Sequence, residues 1–179
     1  MERWLKWGIV ILAIFIGAYL VYDTWLVDER AEIGDGRTLP NFSFLRLGEK
    51  GELNRGDLNQ DMVVVVYFSP NCQHCQSLAA DLGAKVERLT NIDWVWITRF
   101  DEGEAIKFAE TYGLNAQPNV HFGLDQNARF YQFFGDMFTP SVYIYKDEKL
   151  LNILAQDTQV KDVLMVLDGL PTDKLRKTR

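Results

Sequence analysis

Cysteine and histidine are scarce: the 179-residue chain holds two of each. Two cysteines exclude a disulfide-dense scaffold and a four-cysteine zinc site, and two histidines leave little scope for a metal centre. Basic residues are also thin where the chain reads as globular. Between Asp28 and Leu170 there are 13 Lys/Arg against 22 Asp/Glu, a net charge of −9. A segment this acidic repels phosphate backbones, so binding to nucleic acid is not expected. Internal repeats and low-complexity stretches are missing too, and nothing marks a nucleotide, flavin or metal site, so no cofactor is expected. What is present is ordinary globular composition, 47% apolar and 25% charged, enough for one domain and a short extra segment.

The N-terminus carries a long apolar run. Trp7 to Tyr22 spans 16 residues without a charge. At 1.5 Å per residue this is about 24 Å, against roughly 30 Å for the hydrocarbon core. Lys6 can snorkel, which extends the run back to Trp4, and Thr24 to Val27 continue it beyond Asp23. Trp4, Trp7, Tyr19, Tyr22 and Trp25 resemble aromatic belts at two interfaces. A cleaved signal peptide is the alternative, but Ala18 at −1 would put Ile16 at −3, and no lipoprotein cysteine follows. Arg3 and Lys6 precede the run, whereas Asp23, Asp28 and Glu29 follow it. The positive-inside rule then leaves the N-terminus cytoplasmic and exports the rest. The expectation is a single-pass protein of a bacterial inner membrane with a periplasmic domain. Residues 1–27 anchor it in the lipid bilayer, 28–37 form a tether, 38–170 the domain and 171–179 a basic tail.

Beyond the tether, strand and helix signals alternate. Phe42 to Leu47 alternates and breaks at Gly48-Glu49-Lys50-Gly51, a hairpin turn. Met62 to Phe68 is a continuous β-branched and aromatic run, as in a strand buried on both faces. Cys72 to Leu89 reads as a helix with Leu78, Leu82, Val86 and Leu89 on one side. Ile92 to Thr98 is a strand, and Glu102 to Tyr112 a helix stopped by Gly113. Asn119 to Phe122 reads as a short strand, and Asp125 to Phe134 as a short helix or turn. Ser141 to Tyr145 and Leu150 to Leu154 form a hairpin about Asp147-Glu148. Thr158 caps a last amphipathic helix through Leu167. This order predicts an α/β fold with a central mixed sheet covered on both faces.

The chemistry is concentrated at Cys72-Gln73-His74-Cys75. Two cysteines three apart at the start of a helix close a small disulfide without moving the backbone. Cys72 would stand at the helix N-terminus, where free N–H groups and the dipole favour a thiolate. A thiolate is the nucleophile of disulfide exchange, and Cys75, one turn on, is placed to resolve the mixed disulfide. His74 adds a donor, and positive charge when protonated, either of which favours the Cys72 thiolate and makes the disulfide more oxidising. Zinc is a poor alternative, because His121 is the only other candidate ligand. A purely structural disulfide would contribute little, since so short a loop has little entropy to lose. Pro140, directly before a strand, suits a cis bond at a tight turn.

These residues together resemble the thioredoxin superfamily. The closest group is the membrane-anchored, extracytoplasmic thiol–disulfide oxidoreductases of the TlpA/ResA type. Val63 to Leu89, Thr139-Pro140, Leu39 to Leu45, Phe108 to Gly113, Asp125 and Phe133-Phe134-Gly135 carry the likeness, over roughly Thr38 to Gly169. The resemblance implies that Cys72 attacks, Cys75 resolves, and Pro140 docks an extended partner chain, with Thr139 and Phe138 beside it. Exported proteins with cysteines or disulfides would be the partners, and a membrane redox relay the electron donor. Three positions depart from the pattern: Asn71 replaces a tryptophan, Val66 a buried acid, and Leu78 a glutamate near the active-site helix. No general acid or base is therefore identifiable except His74, which the oxidising members also carry. Two other classes are open. One is a thiol peroxidase of the peroxiredoxin type, with Ser69 three residues before Cys72. The other is a non-enzymatic binding or metallochaperone module. Trp94, Trp96 and the Phe130–Phe134 cluster read as core, and His121 as a packed histidine.

Overall fold

The computed structural model describes residues 37–135 and 138–169, together with Gly17. The chain divides into the units Met1–Ile33 and Gly34–Arg179. The second unit holds the sheet and its helices. The anchor apart from Gly17, the basic tail and all of the tether but Arg37 lie outside the described residues. Among the described residues no helix is long and apolar enough to cross a membrane.

Seven strands form one sheet: β1 (Ser43–Arg46), β2 (Glu52–Asn54), β3 (Met62–Tyr67), β4 (Ile92–Thr98), β5 (Val120–Leu124), β6 (Ser141–Lys146) and β7 (Lys149–Ala155). The helices are α1 (Gln73–Gly83), α2 (Glu102–Thr111), α3 (Phe130–Phe134) and α4 (Val160–Leu167), with 3-10 turns at Arg55–Asp57 and Val86–Arg88. The strand order is β2-β1-β5-β4-β3-β6-β7. β3 pairs in parallel with β4, and β4 with β5, whereas β1 and β6 join antiparallel. The mixed sheet follows the order of signals in the sequence. Helical crossovers make neighbours parallel, and the two-residue turn Asp147-Glu148, at φ 49° and 65°, makes β6 and β7 a hairpin.

Strand alternation sorts the core into two layers. Val64, Val66, Trp94, Trp96, Val142 and Ile144 face α1, α2 and α4, which contribute Leu78, Leu82, Ala105, Phe108, Val160 and Val163. Tyr67 and Tyr143 face the other way, onto an aromatic cluster. There the Tyr67 and Phe130 ring centroids lie 4.5 Å apart, as do those of Phe130 and Phe134. Phe44 meets Phe133 edge-on at 5.6 Å. Asp125 ties down the start of the short helix α3: its carboxylate accepts from the N–H groups of Arg129 at 2.7 Å and Phe130 at 3.0 Å.

Several boundaries differ from the sequence reading. The helix expected to run to Leu89 ends at Gly83, and Val86–Arg88 forms a separate turn. At Gly83 a Cβ would stand 2.3 Å from the Tyr112 carbonyl, so α1 and the end of α2 meet there backbone to backbone. Val86 still enters the core. The strand expected at Asn119–Phe122 is Val120–Leu124, and the Asn119 side chain donates to the Leu89 and Ile92 carbonyls just before it. Gln159, rather than Thr158, caps α4, and its N–H donates to Asp162 at 2.9 Å. Thr158 is buried and donates to the Ala155 carbonyl.

Candidate active site

β3 delivers the chain to the end of the sheet where a loop, Phe68 to Asn71, turns into α1. Hydrogen bonds hold this loop from both sides. Phe68 N–H donates to the Ile97 carbonyl at 2.9 Å, which keeps it on β4. Gln76 reaches back from α1 to the Pro70 carbonyl at 2.9 Å, and Asn71 donates to Glu104 of α2 at 3.1 Å. Where the family pattern has a tryptophan, a polar tie to the neighbouring helix is found.

Cys72 is the N-cap of α1 in extended conformation, its N–H bonded to the Ser69 carbonyl at 3.1 Å. Its sulfur therefore lies at the positive end of the helix dipole. It is half-buried and free, whereas Cys75, also free, is fully buried. Burial pushes the Cys75 thiol well above the ordinary range; a hydrogen bond with Cys72 acts in the same direction, and the Ser69 backbone opposes it. The Cys72 thiol donates to the Thr139 carbonyl at 3.5 Å. The Thr139–Pro140 peptide is cis, as the sequence suggested. Ser141 Oγ donates to the Phe138 carbonyl at 2.7 Å, and the Phe138 side chain is 72% exposed. Cys72, Cys75, Thr139 and Pro140 thus form one constellation, with Phe138 standing exposed next to it in sequence.

His74 has a different partner from the one its place in the motif suggests. Its Nδ1 lies 2.7 Å from Asp157, in the loop between β7 and α4. Val66 and Leu78, which stand where the family pattern has acids, are both fully buried apolar residues. Glu104, Gln76 and Asp157 were not found by sequence reasoning, although Glu104, in the first turn of α2 after the N-cap Asp101, was in reach of a capping argument. His121 is packed, as read: it sits 3.3 Å from the buried Asp93, whose other oxygen accepts from Asn59 and Gln60 N–H at 2.6 and 2.8 Å. Burial works to raise the Asp93 carboxyl, but His121 and these two donors outweigh it and leave it below the usual range. Among the described residues no group of three or more His, Cys, Asp or Glu is placed to hold a metal ion.

No family model and no curated protein matches the chain. Solved structures do. A secreted thiol–disulfide isomerase from Corynebacterium glutamicum is 23% identical, with 72% of this chain and 81% of that one covered and a TM-score of 0.61. A secreted Mycobacterium tuberculosis disulfide oxidoreductase homologous to E. coli DsbE is 19% identical over 72% and 96% of the two chains, TM-score 0.59. The peroxidoxin BcpB from Mycobacterium tuberculosis is 15% identical over 75% and 96%, TM-score 0.59. At these identities the likeness is one of fold, and it bears out the resemblance read from the Cys72–Cys75 motif: the chain has the thioredoxin fold.

Proposed function

We propose that this chain is a thiol–disulfide oxidoreductase that exchanges disulfides with cysteine-containing proteins. One observation carries the reading: a half-exposed Cys72 caps a helix within 3.5 Å of the Thr139 carbonyl, with a buried Cys75 one turn behind it. In the reductive direction the Cys72 thiolate attacks one sulfur of a partner disulfide. The partner's S–S bond breaks, a Cys72–partner bond forms, and the second partner sulfur leaves as a thiolate. Cys75 then loses its proton, attacks the Cys72 sulfur, and releases the first partner sulfur. Two electrons have passed to the partner, and the Cys72–Cys75 disulfide must be reduced again from outside. Burial keeps Cys75 protonated at rest, so it does not compete for the first attack. Thr139, Pro140 and the exposed Phe138 receive the partner's extended chain.

The cellular setting belongs to the same proposal. Residues 1–27 anchor the chain, 28–37 tether the domain of residues 38–170 outside the cytoplasm, and a membrane relay supplies electrons for exported substrates. The charge asymmetry about Trp7–Tyr22 supports this topology. In a disulfide-reduction assay with the full chain, Cys72→Ser should abolish turnover. Retained activity would remove Cys72 as the attacking residue.

A thiol peroxidase is the second reading, favoured by Ser69 three residues before Cys72 and by the fold neighbour BcpB. The three-residue spacing of Cys72 and Cys75, and their meeting with Thr139-Pro140, favour exchange. Consumption of hydrogen peroxide at a rate above that of protein disulfide reduction would reverse the order.

A further inference from the structure

A histidine between the two cysteines of such a motif ordinarily pulls the couple in the oxidising direction. Its positive charge stabilises the attacking thiolate, and with it the reduced form. In this chain the imidazole is claimed by another group. Asp157 Oδ1 stands 2.7 Å from His74 Nδ1, while the Cys72 thiol faces the Thr139 carbonyl.

The loop that carries Asp157 is held against α1. Gln156 takes a left-handed φ of 54°, and Thr158 N–H returns to its carbonyl at 2.6 Å. The buried Thr158 hydroxyl donates to the Ala155 carbonyl at 3.3 Å. Two residues on, Val160 N–H donates to Asp81 of α1 at 3.0 Å, which fixes the start of α4 to the active-site helix. The carboxylate is thus presented to His74 by a backbone bound on both sides. The side chains are 49% and 59% exposed, so the pair contributes little to stability. Its consequence is electrostatic: the carboxylate places one negative charge next to the motif, where it opposes a thiolate on Cys72.

We propose that Asp157 is a positioning residue for the Cys72–Cys75 couple, which by pairing with His74 withholds the imidazole from the Cys72 thiolate and keeps the couple more reducing than its Cys-Gln-His-Cys sequence implies. This deepens the proposed exchange function and rests on it. The relevant equilibrium converts the Cys72–Cys75 disulfide and two glutathione molecules into the dithiol and glutathione disulfide. The protein gains two electrons and two protons, and the two glutathione thiols lose them.

The test measures that equilibrium constant for the full chain in glutathione buffers, with Asp157→Asn and Asp157→Ser in the native and in the His74→Gln background. With His74 present, both substitutions should move the constant three- to tenfold toward the dithiol; tenfold corresponds to about 30 mV for two electrons. With His74 replaced, the same substitutions should change it less than twofold. An unchanged constant, a shift toward the disulfide, or an equal shift without His74 would each overturn the role of Asp157. A native chain with no reversible couple at all would instead overturn the exchange function, so the two failures are distinguishable.

Discussion

The chain holds two histidine–aspartate pairs, and they occupy opposite environments. His121 and Asp93 are 11% and 2% exposed, and Asp93 also receives two backbone N–H groups that pin the segment leading into β3. His74 and Asp157 are half in water and join the Cys72–Cys75 motif to the loop before α4. The same two residue types thus serve structure in one place and electrostatics in the other. Burial decides which. A buried carboxylate that loses its partners is costly, whereas an exposed one is rehydrated and its loss is felt only by charges close to it.

The largest expected effect lies at the buried pair. Asp93→Ala should destabilise the domain by about 3 kcal/mol, since two backbone donors and His121 lose their acceptor at once. Chemical denaturation reads this directly, and a loss under about 1 kcal/mol would erase the contrast with Asp157. Phe130→Ala should cost a similar amount, about 3 kcal/mol, by opening a cavity between Tyr67, Phe134 and Tyr143.

Acid sharpens the contrast. The Asp93 carboxyl is lowered in the folded state, so its contribution is present above the unfolded carboxylate pKa of about 3.9 and lost as pH falls through the folded value. Melting curves of the native chain should therefore fall below about pH 4, and those of Asp93→Asn should fall less steeply there. At the alkaline end the raised Cys75 thiol works the other way. Its contribution is complete below the unfolded thiol pKa of about 8.5 and is lost as pH rises above it. The smallest effect belongs to the exposed pair: Asp157→Asn should change stability by less than about 0.5 kcal/mol.

The sequence made the site's centre legible but not its surroundings. Cys72, Cys75 and Pro140 were readable because local rules bind them: a three-residue spacing at a helix start, and a proline ahead of a strand. The mixed sheet was readable because Val63–Tyr67 and Trp94–Ile97 are continuously apolar, as a strand covered on both faces requires. Asp157 was invisible because it meets His74 through the packing of α4 on α1, and no local pattern encodes that. Glu104 meets Asn71 in the same manner, across two elements. The break after Gly83 was hidden for a related reason. Val86 continues the apolar stripe, whereas α1 ends at Gly83, where the Tyr112 carbonyl approaches the backbone too closely for a side chain.

The central claim is the division of labour between a half-buried attacking Cys72 and a fully buried resolving Cys75. Trapping tests it most directly: the full chain carrying Cys75→Ala is incubated with a disulfide-bonded protein, and its adducts are mapped by non-reducing gel and mass spectrometry. A stable mixed disulfide through Cys72, reversed by dithiothreitol and absent from Cys72→Ser, is the expected result. No adduct with Cys75→Ala, or an adduct through Cys75 in the Cys72→Ser chain, would contradict it.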